Sequence, residues 1–249
     1  MDAVNCRQRK TGWPGRTTED WGANLRLSTT RSRAVSGPLG GSGLTSYDVR
    51  HILTNEMRRS APNRKEATHE RIVEAAARAI RRSGYDGTGV AAIMKDAGLT
   101  HGGFYAHFPS REAMLAEAAD RAGAEAVAAS ARIAAAATPP QALECLLQAY
   151  LSKAHVQNAE TGCPVVALGS EMPRQAPEVR RAATRRIKEM IDLVSRQSPD
   201  WGQPGAHERA LVTVATMVGA LLLARAVDDS KLSDALRKAA LEHLAPASA

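Results

Sequence analysis

The sequence predicts an all-α protein, and three observations carry that prediction. Aromatic residues make up only 4% of the 249 residues, which is few for a β-sandwich or a β-barrel. Hydrophobic residues make up 44%, which is enough to bury a core. From residue 63 onwards, apolar side chains recur at helical spacing in about nine segments. We expect a short three-helix unit followed by a larger helical domain.

Residues 1–57 are predicted to be a disordered extension. This segment is rich in Gly, Ser, Thr and Arg, has no sustained apolar period, and contains the stretch Ser-Gly-Pro-Leu-Gly-Gly-Ser-Gly at residues 36–43. A basic arm that binds nucleic acid is a second interpretation of this segment. A third is that Met57 is the natural start of translation, which the intact mass of the natively expressed protein would reveal.

The net charge of +7 is confined to the first 112 residues. Residues 58–112 carry 10 basic and 6 acidic residues, and residues 1–57 carry 8 basic and 5 acidic residues. Residues 113–249 carry 15 of each sign. A basic excess concentrated in one part of the chain favours an acidic partner such as nucleic acid.

The first predicted helix spans residues 65–83. Asn63 and Glu66 have the spacing of a capping box, and Gly84 stands where a helix commonly ends. The helix has one apolar face, as expected for a helix that packs on a core. The residues of that face are Ile72, Ala76, Ala79 and Ile80.

Two shorter helices are predicted to follow. Thr88 is the expected N-cap of the second helix, and Gly98 is expected to end it. Thr100 is the expected N-cap of a third helix that runs through Phe108. Three helices with a tight glycine turn between the second and the third are typical of a helix-turn-helix, so residues 58–112 are predicted to form one.

The stretch at residues 98–112 reads Gly-Leu-Thr-His-Gly-Gly-Phe-Tyr-Ala-His-Phe-Pro-Ser-Arg-Glu. Phe104 and Phe108, the only two phenylalanines of the chain, share one helical face and would anchor the third helix. Gly102 and Gly103 each cost about 1 kcal/mol relative to Ala in a helix, so helix propensity does not explain them. A bare backbone at a helix N-terminus instead allows a phosphate or a base edge to approach closely.

Residues 63–112 resemble the DNA-binding domain of the TetR family of transcriptional regulators, in the subset with His-Gly-Gly-Phe-Tyr in the recognition helix. The resemblance implies that the partner is an operator in double-stranded DNA. It assigns phosphate contacts to Thr88 and Arg111, and contacts to the DNA backbone to Tyr105 and His107. The residues that match the contacts to base edges and phosphates at the start of the recognition helix are Thr100, His101, Gly102 and Gly103.

The sequence departs from the family pattern at three of these neighbouring positions. Lys is common in place of His101, a hydroxyl or amide side chain in place of Gly103, and an aromatic in place of Ala106. Fewer side chains are then available to contact bases. We therefore expect base-specific contacts mainly from Thr100, His101 and Tyr105, with the remaining specificity supplied by DNA shape.

Residues 113–249 are expected to be the ligand-binding and dimerisation domain that the resemblance implies. The fourth helix is expected to connect this domain to the helix-turn-helix. The penultimate helix is apolar almost all round, so it must be buried on more than one side. In the family the last two helices form a homodimer interface; an intramolecular core helix is the alternative. The predicted helices are residues 111–136, 141–158, 165–172, 177–195, 207–227 and 232–244.

A ligand pocket for a small-molecule effector is implied by the resemblance, among the middle helices. The candidate lining residues are Tyr150, Cys163, Glu171 and Met190, because they offer polar or polarisable groups in an aliphatic region. Cys163 lies between Gly and Pro in a loop. Two interpretations of Cys163 stay open: a redox-sensing thiol and an inert buried thiol. The basic residues at 180–188 are interpreted as a solvated face balanced by nearby acids.

The remaining features point to a cytoplasmic protein without a membrane span. The longest apolar run, residues 210–224, is shorter than the roughly 20 residues that a span requires, and no signal peptide is visible. Three widely spaced cysteines indicate a reducing compartment, with neither a disulfide framework nor a metal site. No cofactor is predicted.

The sequence as a whole predicts a ligand-responsive regulator, specifically a repressor, that binds a palindromic operator as a homodimer. One alternative is a non-specific architectural DNA-binding protein that uses the basic N-terminal region. Another is a helical small-molecule enzyme, but Gly-x-Ser-x-Gly, His-Glu-x-x-His and Walker motifs are all missing from the sequence, and no catalytic residue is predicted.

Overall fold

The computed structural model describes residues 64–245, and over this range the predicted all-α fold is confirmed. There are nine α-helices and no strand in the described range. The predicted extension and the predicted capping residue Asn63 lie outside it. The helices are α1 (Arg64–Ser83), α2 (Val90–Asp96), α3 (Arg111–Ala136), α4 (Ala142–Tyr150), α5 (Lys153–Gln157), α6 (Pro164–Leu168), α7 (Pro177–Gln197), α8 (Ala206–Ala226) and α9 (Ser230–Leu244). Three 3₁₀ segments, His101–Ala106, Pro139–Gln141 and Met172–Arg174, complete the architecture.

The turns of the helix-turn-helix lie where the glycines predict them. Gly84 has a φ of 74° and donates its N–H to the Ile80 carbonyl at 2.9 Å, which ends α1. Gly98 has a φ of 69° in the turn after α2. L-residues with a side chain rarely adopt this left-handed conformation, so glycine is required at both turns.

The third element of the helix-turn-helix is a 3₁₀ segment, His101–Ala106, and not the predicted α-helix. The adjacent Gly102 and Gly103 weaken the α-helix at this point. The N–H groups of His107 and Phe108 both donate to the Phe104 carbonyl, at 2.9 and 3.1 Å, which fixes the tight end of the segment.

Of the two predicted threonine N-caps, Thr88 is wrong, and Thr100 is confirmed in its position but not in its capping hydrogen bond. The N-cap of α2 is Gly89, and Thr88 instead donates its hydroxyl to the Gly84 carbonyl at 2.7 Å. Thr100 occupies the N-cap position of the 3₁₀ segment in an extended conformation, but its side chain makes no capping hydrogen bond. Threonine side chains also form hydrogen bonds with backbone groups in turns, and Thr88 forms such a bond instead of a helix cap.

Two of the later predicted helices are interrupted. The predicted helix at 141–158 divides into α4 and α5, because Ser152 is extended and its hydroxyl accepts the N–H of His155 at 3.1 Å, which starts a new helix. The predicted helix at 165–172 ends at Leu168, and a separate 3₁₀ turn follows at Met172–Arg174. Pro173 lacks the N–H that a continuing α-helix would use.

Helix α3 joins two hydrophobic cores. Its first turns place Met114 and Leu115 in a core built mainly from α1, α2 and the 3₁₀ segment. Near its other end, Ala134 belongs to a second core formed with α4, α7, α8 and α9. Leu168 and Val179 from later in the chain also pack into the first core. The helix-turn-helix is thus packed directly against the helices that follow it.

In the single chain, helix α8 is buried on one face, so the predicted burial on more than one side would require a partner and stays a prediction. Its buried residues form a single stripe with helical spacing, ending at Leu221 and Ala224. Large apolar residues remain exposed on its other side and on α9: Leu211, Val212, Leu222, Leu223 and Leu232. By length and composition alone α8 could cross a membrane, although a core or interface helix meets the same criterion.

Candidate DNA-binding surface and effector cavity

Stacked rings anchor the 3₁₀ segment against α1. Phe104 and Phe108 are buried, with ring centroids 5.6 Å apart. The His69 imidazole stacks on Phe108 with ring centroids 4.4 Å apart and forms a 2.6 Å hydrogen bond with Glu117. This confirms the predicted phenylalanine anchor. Tyr105 is 75% exposed, and its ring contacts Phe104 edge-on with centroids 5.1 Å apart.

The N-terminal end of the segment is an open surface. Thr100, His101 and Gly102 are exposed, and Gly103 is partly exposed. Neither glycine has a positive φ. A Cβ at Gly102 would meet no atom within 4 Å, and one at Gly103 would lie 3.7 Å from the Met94 Cε, an ordinary contact. The fold therefore requires glycine at neither position.

His107 lies at the edge of the aromatic anchor. Its Nδ1 is enclosed and has no hydrogen-bond partner among the described residues. Burial lowers the pKa of His107, and the nearby His69 and Lys65 lower it further. The imidazole is therefore neutral at pH 7, and it offers a phosphate one N–H and no positive charge.

Thr88 and Arg111 do not point freely outwards. Thr88 is buried, and the Arg111 guanidinium donates to the Tyr85 carbonyl and, at 3.3 Å, to the Thr88 carbonyl. Both side chains stabilise the turn between α1 and α2. Their phosphate contacts stay predictions, as do those of the other residues assigned to DNA.

Tyr85 connects the helix-turn-helix to the rest of the chain. Its ring is fully buried, its N–H donates to the Glu171 carboxylate at 2.8 Å, and its hydroxyl lies 3.7 Å from the Met172 sulfur. Arg111 holds its carbonyl from the other side. Burial raises the pKa of Tyr85, and the charge of Glu171 raises it further, so the phenol stays neutral. Nothing in the sequence pattern singles out Tyr85.

A small apolar cavity of about 50 Å³ lies between α3, α6, α7 and α8. Of the four predicted ligand residues, Cys163 and Met190 line it. Tyr150 lies in the same core but not in the cavity wall, and Glu171 instead binds the Tyr85 N–H. The cavity wall also includes residues that were not predicted from the sequence: Tyr85, Val127, Val165, Val214 and Val218. The valines were not predicted because aliphatic lining residues look like ordinary core residues in a sequence.

A polar cluster lies beside the cavity, around His155. The Cys163 N–H donates to Nε2 of His155 at 3.0 Å, so the ring proton is on Nδ1, which donates to the Tyr150 carbonyl at 2.6 Å. Arg225 donates to the His155 carbonyl at 2.5 Å and to the Asn158 carbonyl at 3.3 Å. Burial lowers the pKa of His155; the Tyr150 carbonyl opposes this shift and the Arg225 charge adds to it.

The basic face of α7 is partly neutralised. Arg186 donates to both carboxylate oxygens of Asp120, at 2.7 and 2.6 Å, and Arg185 donates to one of them at 2.5 Å. Although burial raises the pKa of Asp120, the hydrogen bonds from Arg186 and Arg185 lower it below its usual value. Arg180 and Arg181 are exposed, as a solvated face requires. Within residues 64–245, no group of three His, Cys, Asp or Glu residues is placed to hold a metal ion.

Comparison with known proteins gives two family matches. Residues 72–118 match the bacterial regulatory proteins of the tetR family, and residues 139–240 match the C-terminal domain of LmrA/YxaF-like transcriptional regulators. An uncharacterized HTH-type transcriptional regulator of Mycobacterium tuberculosis is 34% identical over 165 residues, which cover 63% of this chain and 83% of that protein. The HTH-type transcriptional regulator LmrA of Bacillus subtilis is 27% identical over 169 residues, covering 66% and 89%.

Solved structures agree with these matches. A TetR transcriptional regulator from Chloroflexus aurantiacus superposes with a TM-score of 0.60 at 26% identity, covering 72% of this chain and 95% of that one. The reduced form of Escherichia coli NemR has a TM-score of 0.61 at 21% identity, covering 73% and 99%, and at this identity it shows the fold alone. The chain therefore belongs to the TetR family and is a DNA-binding transcriptional regulator.

Proposed function

We propose that this protein is a cytoplasmic, ligand-responsive repressor that binds a palindromic operator as a homodimer and is released by a small-molecule effector. The observation that carries the proposal is the exposed start of the 3₁₀ segment, where two glycines that the fold does not need stand beside the projecting Tyr105. An open backbone next to an aromatic hydroxyl suits a DNA phosphate and the groove edge beside it.

The basic excess of residues 58–112 supports DNA as the partner. Its charges lie on the same module as the exposed segment, while residues 113–249 are neutral. Phosphate contacts would supply affinity that falls with salt, and Thr100, His101 and Tyr105 would supply contacts at the bases. Thr88 and Arg111 would position the segment through the turn that they stabilise.

The exposed apolar residues of α8 and α9 support a homodimer. Val212 is 59% exposed and Leu223 is 48% exposed, on a helix whose opposite face is buried in the core. A second copy of the same two helices would cover this surface in a two-fold symmetric bundle. Two DNA-binding modules about 34 to 36 Å apart then contact successive major-groove turns of a palindrome.

Tyr85 supports the coupling between ligand and DNA. The cavity of about 50 Å³ is far below the roughly 300 Å³ of a typical ligand site, so an effector must widen it. Tyr85 lines that cavity and is bonded to Arg111 at the start of α3. An effector that displaces Tyr85 would shift the helix-turn-helix. A tenfold release from DNA requires about 1.4 kcal/mol of differential affinity between the two conformations.

Footprinting on the DNA that flanks the protein's own gene tests the proposal. We expect a protected palindrome at moderate salt, lost in Tyr105→Ala and retained when residues 1–56 are deleted. The architectural alternative predicts the reverse: little sequence preference, and loss of binding on deletion of the basic N-terminal region. Leu223→Glu should give monomers by light scattering, whereas Trp201→Glu, exposed outside α8, should leave the dimer intact.

A further inference from the structure

Arg225 has unused hydrogen-bonding capacity inside the second domain, residues 113–249, which we call the effector domain. One of its nitrogens, Nη2, bonds the His155 and Asn158 carbonyls, but Nε and Nη1 are enclosed and have no partner among the described residues. Arg81 and Arg237 also have an enclosed Nε without a partner, yet each forms an ion pair with a carboxylate. Over residues 64–245, no carboxylate pairs with Arg225. A partly buried guanidinium in this state is a preformed site for an anion.

Tyr150 adds a second donor at the same place. Only 6% of its surface is exposed, and among the described residues its hydroxyl has no oxygen or nitrogen partner, only the weakly hydrogen-bonding thiol of Cys163. The Cys163 thiol and the Arg225 guanidinium are its electrostatic neighbours. Buried hydroxyls normally have a full hydrogen-bond partner and a thiol is a weak one, so this phenol can donate to a stronger acceptor when a ligand binds.

The two donors lie outside the cavity wall, but both interact with Cys163, which belongs to that wall. On α8, Val214, Val218, Leu221 and Arg225 have the spacing of one helical face, and Val214 and Val218 line the cavity. Arg225 is two turns beyond Val218, about 10 Å along the helix axis. Cys163 interacts with Tyr150 and also lines the cavity, so an effector that widens the cavity past Cys163 would meet both donors.

We propose that the effector is an organic anion, with an apolar body in the cavity and one carboxylate group held by Arg225 and Tyr150 beside Cys163. This inference rests on the proposed function and names the chemical class of its ligand. The aliphatic lining selects against inorganic anions, which would leave the cavity unfilled. The unpaired guanidinium selects against neutral molecules of the same shape, which supply no charge to it.

The test uses the full-length protein and matched pairs of probes. Benzoate, cyclohexanecarboxylate and octanoate are each compared with the corresponding primary amide, and sodium sulfate at equal ionic strength represents inorganic anions. We expect at least one carboxylate to raise the melting temperature and to displace operator DNA, with its amide at least tenfold weaker and sulfate without effect. Equal effects of acid and amide, an equal effect of sulfate, or no effect of any carboxylate would overturn the proposal.

Two variants test whether Arg225 and Tyr150 bind the carboxylate. Arg225→Gln should weaken the active carboxylate at least tenfold, while Arg209→Gln, an exposed position on the same helix, should leave it unchanged. Tyr150→Phe removes a hydroxyl whose only neighbouring partner is a thiol, so the ligand-free protein should melt at nearly the same temperature while the carboxylate binds more weakly. A clearly lower melting temperature of ligand-free Tyr150→Phe would show that the hydroxyl already has a strong structural partner, and the proposal would fail.

Operator binding without any compound separates the two proposals. If the wild-type protein binds its operator but no carboxylate stabilises or releases it, the organic-anion inference fails and the regulator proposal stands. If no operator is found but a carboxylate raises the melting temperature and its amide does not, the regulator proposal fails and the ligand class stands.

Discussion

Gly102 lies on the exposed surface of the 3₁₀ segment, where an added methyl group would touch nothing in the protein. Gly102→Ala should therefore leave the unfolding free energy unchanged or raise it by up to about 1 kcal/mol, because Ala is the better helix former. Operator affinity should fall at least tenfold, since the methyl group would occupy the space proposed for DNA. Chemical denaturation and gel shifts measure the two effects.

Gly98→Ala is the matched control for that substitution. Gly98 has a φ of 69°, and its Cβ would lie 3.0 Å from Nη2 of Arg71. The left-handed backbone costs a residue with a side chain about 1 to 2 kcal/mol, so Gly98→Ala should destabilise the fold itself. If both variants lost DNA affinity only in proportion to lost stability, Gly102 would have no role of its own at the DNA.

His155 makes stability depend on pH. Its pKa is lower in the folded protein than in the unfolded chain, chiefly through burial and also through Arg225. Protons therefore bind the unfolded chain more readily, and the unfolding free energy falls as the pH drops below about 6.5. Protonation of His155 Nε2 would also put an N–H where the Cys163 N–H now donates, so that two donors would face each other.

His155→Gln should flatten the pH dependence of the unfolding free energy between pH 7 and pH 5. The slope should not vanish, because His107 also has a lowered pKa and contributes in the same direction. Urea denaturation at a series of pH values gives the slope for each protein. An unchanged slope in His155→Gln would mean that His155 titrates in the folded state as it does in the unfolded chain.

At the scale of elements, the close crossing of α3 and α7 depends on Gly123. A Cβ there would lie 2.5 Å from both Cβ and Cγ of Arg186, atoms near the backbone that cannot swing away. Gly123→Ala should destabilise the protein by about 1 to 3 kcal/mol, despite the better helix propensity of Ala. Gly89→Ala, whose methyl group meets nothing within 4 Å, is the control for thermal or chemical unfolding.

The helices could be predicted from the sequence where the helical spacing of the apolar residues and the glycines that end a helix indicate the same bounds. Helices α1, α3, α7 and α8 were located this way to within about two residues, as was the glycine turn at Gly98. The break at Ser152 was missed, because the apolar period continues across it and only the hydroxyl contact to the His155 N–H reveals it. The 3₁₀ geometry at Gly102 was missed because sequence period does not separate a single 3₁₀ turn from a short α-helix.

The candidate site was less predictable than the fold. Thr100, His101 and Tyr105 are exposed, and their contacts to DNA stay predictions. Tyr85 could not be found, since its importance depends on Glu171, which lies 86 residues away in the sequence. The unpaired nitrogens of Arg225 are also invisible in the sequence, because they depend on which carbonyls happen to lie within reach.

At the scale of the whole molecule, the Glu171 carboxylate links the effector domain to the helix-turn-helix. Glu171→Ala leaves the buried Tyr85 N–H without an acceptor and should lower the unfolding free energy by about 1 to 3 kcal/mol. Glu171→Gln retains a side-chain oxygen that accepts the same N–H, so it should lose much less. Equal losses in the two variants, measured by denaturant titration, would show that the carboxylate charge matters and the hydrogen bond does not.

Because α3 contributes Met114 to one core and Ala134 to the other, neither core keeps its full packing once this helix unwinds. The DNA-binding module and the effector domain should therefore melt in a single calorimetric transition. A cavity-forming substitution deep in the effector domain would then lower the temperature at which the protein releases its operator, without touching a residue that faces DNA.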